Sequence, residues 1–250
     1  MTASPLAFED AFELLGPALQ GDTLVLVGGQ AVNYWLSLYR GREPSLEGLA
    51  VVTSDDVDFW GTQEDAARMA QAIAGSTFKM VGVDALAATT AIVSFPDKHG
   101  VERRIDFLRT VHGLQVKDVR ETAIQIELKD RENKPTGILL RVLHPVLSLV
   151  SRFHNTHSFD KYQSPRGLRQ ARAAVGCAKG FLRDRCEAGK IRDVHRSIRV
   201  IGDLACSPQG RDVYSRFQLD AFEAIPDDPR LGEDFRTKRL PQLRALAGRP

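Results

Sequence analysis

The sequence predicts an α+β fold: a mixed sheet with flanking helices, followed by a mostly helical C-terminal domain. Short runs of β-branched and apolar residues alternate with amphipathic stretches as far as Leu143, and from His144 onward the apolar period becomes helical. The charge changes sign at about the same place. Residues 1–150 contain 14 Lys and Arg against 20 Asp and Glu, whereas residues 151–250 contain 20 against 12. The expected division is an α/β domain over 1–143 and a basic helical domain over 144–250.

Each element has its own signal. Asp22–Val27 is a short β-rich run ended by Gly28-Gly29, and Ala31, Val32, Trp35, Leu38 and Tyr39 then recur at helical spacing. Gly41-Arg42-Glu43-Pro44-Ser45 breaks that helix, and Arg40–Val52 reads as an insertion. A strand through Val57 and Phe59 follows, then a helix from Glu64 to Ala74. Strands at Ala88–Phe95 and Val101–Leu108 flank a Pro96–Gly100 loop, and a second hairpin joins Ala123–Leu128 to Gly137–Leu143. In the helical half, Ser164-Pro165 reads as an N-cap with proline in the first turn, ahead of an apolar stripe of Leu168, Ala171, Val175, Ala178 and Leu182. Gly189 is a stop signal, Ile191, Val194, Ile198, Ile201 and Ala205 form the next stripe, and Ser207-Pro208 starts another helix. The last 25 residues read as a loosely packed tail with one short helix.

Composition excludes several classes. With 43% apolar and 26% charged residues, the 250-residue chain is an ordinary globular one that can bury a core. It has no apolar run near the roughly 20 residues of a membrane span, so no membrane partner is expected. Met1-Thr2-Ala3-Ser4-Pro5 lacks the features of a secretory signal, and Cys177, Cys186 and Cys206 have neither disulfide-framework nor zinc spacing. A cytoplasmic protein with reduced, structural thiols is expected.

The residues that carry chemistry are in the acidic half. Asp56 and Asp58 in Asp56-Val57-Asp58-Phe59 project to one side of a strand, about 6–7 Å apart, with Val57 and Phe59 on the other. Asp106 has the same apolar flanks in Arg104-Ile105-Asp106-Phe107. Three carboxylates so arranged suit a Mg²⁺ pair shared with substrate phosphates. Gly28-Gly29 at a strand-to-helix turn offers backbone N–H groups and close approach to a phosphate.

Val27-Gly28-Gly29-Gln30-Ala31, Thr53-Ser54-Asp55-Asp56-Val57-Asp58-Phe59 and Ile105-Asp106-Phe107 together resemble the nucleotidyltransferase superfamily of the DNA polymerase β-like fold. Within it, the chain is most similar to bacterial stand-alone nucleotidyltransferases, including abortive-infection and type IV toxin-like members. The resemblance covers roughly residues 20–110 and extends loosely to Ala171. It implies a nucleotidyltransferase-type sheet and a transfer of NMP from an NTP to an acceptor hydroxyl with release of pyrophosphate. Asp56, Asp58 and Asp106 would be both catalytic residues and ligands of two Mg²⁺ ions, with Mn²⁺ as the alternative metal. Gly28, Gly29, Gln30, Ser54 and Lys161 would contact the nucleotide. The chain departs from the family in its long Gly-Gly to Asp spacing and in having Gln30 where Ser or Thr is frequent.

In the basic half, Arg166, Arg169, Arg172, Lys179 and Arg183 line one helix, and Arg192, Arg196 and Arg199 the next. They suit either a solvated face or a surface for RNA, a tRNA end above all. Arg152, His154 and Asn155 lie on the preceding helix as cleft candidates, while His154 and His157 lack a third metal ligand. A protein target, a small-molecule acceptor or an antitoxin partner stays open. Two other readings compete: an inactive nucleotidyltransferase-fold module acting as a partner scaffold, and a helical RNA-binding protein with an acidic N-terminal domain.

Overall fold

The computed structural model describes residues 24–49, 56–82, 88–97, 100–129, 132 and 134–249, together with Phe12, Leu15 and Leu19. The chain divides into two compact units, one of residues 1–34 and 53–144, the other of residues 35–52 and 145–250.

The first unit is built on a seven-stranded mixed sheet. Its strands are β1 (Val25–Val27), β2 (Asp56–Trp60), β3 (Thr77–Met80), β4 (Thr89–Pro96), β5 (Glu102–Leu108), β6 (Ile124–Lys129) and β7 (Pro135–Val142), in the order β3-β4-β5-β2-β1-β7-β6. β1 is apolar throughout and wholly buried, as suits a strand with neighbours on both edges. It runs antiparallel to β2 and parallel to β7, and β2 runs parallel to β5. The two expected hairpins are present as β4–β5 and β6–β7.

Alternation assigns the two faces of the sheet. Leu26, Phe59, Phe107 and Val142 occupy one cross-strand row, and all four are fully buried. The Phe59 and Phe107 rings lie 6.0 Å apart. Helix α1 (Gly28–Tyr39) leaves β1 without an intervening loop. Helix α2 (Gln63–Ala72) starts from a reciprocal cap: Thr62 Oγ1 accepts from the Asp65 N–H, and the Asp65 carboxylate accepts from the Thr62 N–H. It buries Ala66 and Met69 and packs beside β4. Helix α3 (Val116–Thr122) precedes β6.

The second unit is helical: α4 (Pro145–Ser158), α5 (Pro165–Glu187), α6 (Ile191–Cys206), α7 (Pro208–Phe217) and α8 (Leu240–Leu246). Ser164 and Ser207 cap α5 and α7 through their side chains, each with proline in the first turn. Within 40–52, the described residues 40–49 are not a loose excursion. Pro44–Leu46 forms a short 3₁₀ turn, Leu46 is fully buried, and a Cβ on Gly176 of α5 would overlap the Leu46 side chain. Glu43, itself buried, pairs with Arg183 at 2.8 Å and Lys179 at 3.6 Å. The last 25 residues include the one short helix expected, α8, and are in part more firmly held than a loose tail: Leu231 and Ala247 are buried, and Arg249 pairs with Asp220.

Candidate active site on the acidic sheet face

Register brings the predicted carboxylates together. On the face opposite the Phe59 row, Asp58 of β2 is the direct partner of Asp106 on parallel β5, and Asp56 is the partner of Arg104. Asp56 and Asp58 are half-buried, two residues apart on one strand, so all three carboxylates share one face of neighbouring strands. Val27 flanks Asp58 on the other side. The next residue, Gly28, has φ of +66°, a conformation that L side chains rarely adopt. A Cβ there would overlap the Oδ2 atom of Asp58. The strand-to-helix turn therefore lies directly against a carboxylate, and only glycine fits between them.

One cation already belongs to this cluster. Arg104 Nε donates to Asp106 Oδ1 at 2.7 Å. Desolvation acts to lower the Arg104 pKa, but the Asp106 hydrogen bond and the charges of Asp106, Asp56 and Asp58 outweigh it and hold the pKa above its ordinary value. The guanidinium thus sits in the field of all three acids. Arg104 is a functional side chain that its sequence motif alone does not assign. The signal was the two-residue spacing to Asp106 on one strand face, but that spacing acquires meaning only once parallel pairing sets Asp56 opposite Arg104.

The donor set fits a hard divalent cation in kind: three oxygen anions on one face, beside a turn that lacks a Cβ. In their present rotamers the acids do not close on a point, and among the described residues no group of three His, Cys, Asp or Glu side chains is arranged to hold a metal. Asp106 is turned to Arg104 instead.

The other candidates are distributed differently. Gln30 is fully buried and its Oε1 accepts from Asn33 Nδ2 at 3.1 Å, so its side chain faces the interior of the protein. Gly29 is buried in the first turn of α1, and Ser54 lies outside the described residues. Lys161 belongs to the helical unit, exposed on a 3₁₀ turn (Asp160–Tyr162), with its Nζ 4.9 Å from the Tyr162 ring centre. Arg152 lies over the same ring at 5.2 Å, is buried, and donates to Gln170 Oε1 at 2.9 Å. Asn155 is buried and bonded to Ser151, and His157 Nδ1 lies 3.0 Å from Asp212 Oδ2. In the basic stripe, Lys179 and Arg183 are engaged by Glu43, while Arg169, Arg172, Arg192 and Arg199 are exposed.

What the fold and face define is a mixed-sheet α/β unit with an acidic patch beside a glycine turn. No helix of the described residues is long and apolar enough to cross a membrane. No protein-family model and no curated protein matches the chain.

Proposed function

We propose that the acidic face is the active site of a metal-dependent nucleotidyltransferase, which moves an NMP from an NTP to an acceptor hydroxyl. The observation that carries the reading is the in-register pairing of Asp58 with Asp106, with Gly28 packed against the Asp58 carboxylate. Asp56 and Asp58 would hold two Mg²⁺ ions, and Asp106 would join the one on the acceptor side. Bound there, the metals supply charge neutralisation for the triphosphate and for the oxygens of an in-line displacement.

The chain's own groups do the rest. The Gly28 turn lets substrate phosphate approach the backbone beside Asp58. Asp106 orients the acceptor hydroxyl and receives its proton as the new O–P bond forms at the α-phosphorus. The bond from that phosphorus to the bridging oxygen breaks, and pyrophosphate leaves with the electron pair. Arg104 neutralises Asp106 while no cation is bound, so it turns from Asp106 as the substrate enters. RNA, a tRNA end above all, is the acceptor class that the exposed arginines of the helical unit favour.

The test is incubation with each α-labelled NTP, Mg²⁺ and total cellular RNA or protein. Labelled product and pyrophosphate are expected, and both should fall at least about a hundred-fold in Asp106→Asn. Full transfer by the Asp58→Asn, Asp106→Asn double variant would remove the assignment. One observation favours a second reading, a scaffold without catalysis: the Arg104–Asp106 ion pair already supplies a cation. That reading predicts no Mg²⁺-dependent nucleotide binding by calorimetry.

A further inference from the structure

Asp106 is already paired, and the pairing restricts any reaction that uses it. Its strand partner on β2 is Asp58, so two like charges lie opposite each other on neighbouring strands, an arrangement that destabilises a sheet. Arg104 relieves it. Its Nε donates to Asp106 Oδ1 at 2.7 Å, and its own strand neighbours are Asp56 on β2 and Ser94 on β4. Among the described residues, neither Asp106 nor Arg104 has a second ion pair.

The two side chains differ in exposure, and the difference decides which of them can move. Asp106 is 13% exposed and Arg104 46%. A carboxylate so sheltered needs a positive partner, because a buried charge left unpaired is strongly destabilising. The guanidinium, nearly half in water, can leave without that penalty. It can exchange the carboxylate for a phosphate oxygen, which it binds through the same charge-assisted hydrogen bonds. While it stays, Asp106 Oδ1 is occupied, and a divalent cation approaching that carboxylate meets a like charge.

We propose that Arg104 is a specificity-determining residue: it holds Asp106 as an internal substitute for the acceptor-side cation, and it protects bound NTP from water until an acceptor carrying a phosphate draws it away. The proposal rests on the nucleotidyltransferase reading. Asp56 and Asp58 then take up one cation in the absence of nucleotide, and Asp106 joins a second only after Arg104 has left. The triphosphate enters with its charge met by the cation at Asp56 and Asp58. A water molecule brings no anion and leaves the Arg104–Asp106 pair closed, whereas a nucleotide acceptor brings a phosphate beside its hydroxyl and opens it. In the reaction so prevented, a water oxygen would bond to the α-phosphorus and its proton would pass to Asp106. The bond from that phosphorus to the bridging oxygen would break, giving NMP and pyrophosphate.

Full-length protein is titrated with Mn²⁺ in the absence of nucleotide, and bound ions are counted from the loss of the paramagnetic resonance signal of free Mn²⁺. One ion per chain is expected for the wild type and two for Arg104→Gln. The count should return to one in Arg104→Lys, which restores the charge, and in the Arg104→Gln, Asp106→Asn double variant, which removes the ligand. The wild-type count tests the proposal even if a variant fails to fold. In parallel, hydrolysis of NTP to NMP and pyrophosphate without acceptor should rise at least about ten-fold in Arg104→Gln, since a positioned base contributes about a hundred-fold or more. Arg104→Lys should bring it back toward the wild type. Two ions in the wild type, or equal counts or equal hydrolysis in the wild type and Arg104→Gln, would overturn this role for Arg104 and leave the transferase reading to the labelled-NTP assay. No Mn²⁺ bound by either protein would overturn both.

Discussion

Gly28 and Asp58 constrain each other, and neither constraint belongs to one residue alone. The turn from β1 into α1 needs φ of +66° at Gly28, and the carboxylate of Asp58 fills the space that a side chain there would use. Gly28→Ala therefore combines left-handed strain of about 1–2 kcal/mol with displacement of the carboxylate. Urea unfolding should register that loss of stability. On the proposed function, transfer activity measured on the folded fraction should fall further than the stability loss explains. Normal stability together with normal activity would show that the turn relaxes without disturbing Asp58. At this scale much of the cluster was legible: two acids at alternate positions, a third with the same apolar flanks, and paired glycines after a strand. Arg104 and the inward-facing Gln30 were not, because a strand's neighbours and a helix's inward face depend on pairing and packing that no local pattern encodes.

Among the elements, legibility followed burial. Both hairpins and the long helix α5 are present where apolar alternation or a capped helical stripe announces them, with ends shifted by a residue or a few. β3 carries no such signal, since all four of its residues are exposed on the sheet edge. Helix α3 spans seven residues and lacks a side-chain N-cap bond, so it too leaves little trace. The segment after Arg40 is the clearest case. Its Gly and Pro read as interruption, yet Leu46 and Glu43 anchor it to α5. Leu46→Ala removes a fully buried side chain and should cost about 2–4 kcal/mol in urea unfolding. A loss below about 0.5 kcal/mol would mean that the segment does not hold to the helix. A second contact joins α4 to α7. The His157 hydrogen bond, helped by Arg216 and opposed by partial desolvation, holds the Asp212 carboxyl below its usual range. A carboxyl lowered in the folded state stabilises at pH above its unfolded value of 3.8, and that contribution is lost as pH falls through the lower folded value. The side chain is 30% exposed, so the effect is under about 1 kcal/mol. The stability difference between the wild type and Asp212→Asn should be constant near neutrality and shrink below about pH 4. A difference that grew on acidification would reverse the sign of this linkage.

For the whole molecule, the charge asymmetry of the sequence matters more for where positive charge is spent than for how much there is. The last hundred residues carry the excess of Lys and Arg, but Lys179 and Arg183 answer to buried Glu43, and Arg216 answers to Asp212 and Gln163. Counting charges along α5 overstates its polyanion surface, because two of the five residues in its basic stripe anchor buried Glu43. Arg169, Arg172, Arg192 and Arg199 stay exposed on α5 and α6. If RNA is the acceptor, these four are among the side chains open to its phosphates. Binding of a short labelled RNA, followed by anisotropy across a salt series, should then weaken with rising salt. Arg169→Gln with Arg172→Gln should lower affinity for unrelated sequences alike and flatten the log–log salt slope by about one per phosphate contact removed. Arg183→Gln should behave differently, leaving the salt slope unchanged while lowering the unfolding midpoint, because it removes the nearer of two cations paired with a buried carboxylate. A salt slope that responded to Arg183 and ignored Arg169 and Arg172 would place the polyanion elsewhere and detach the basic unit from any role in acceptor choice.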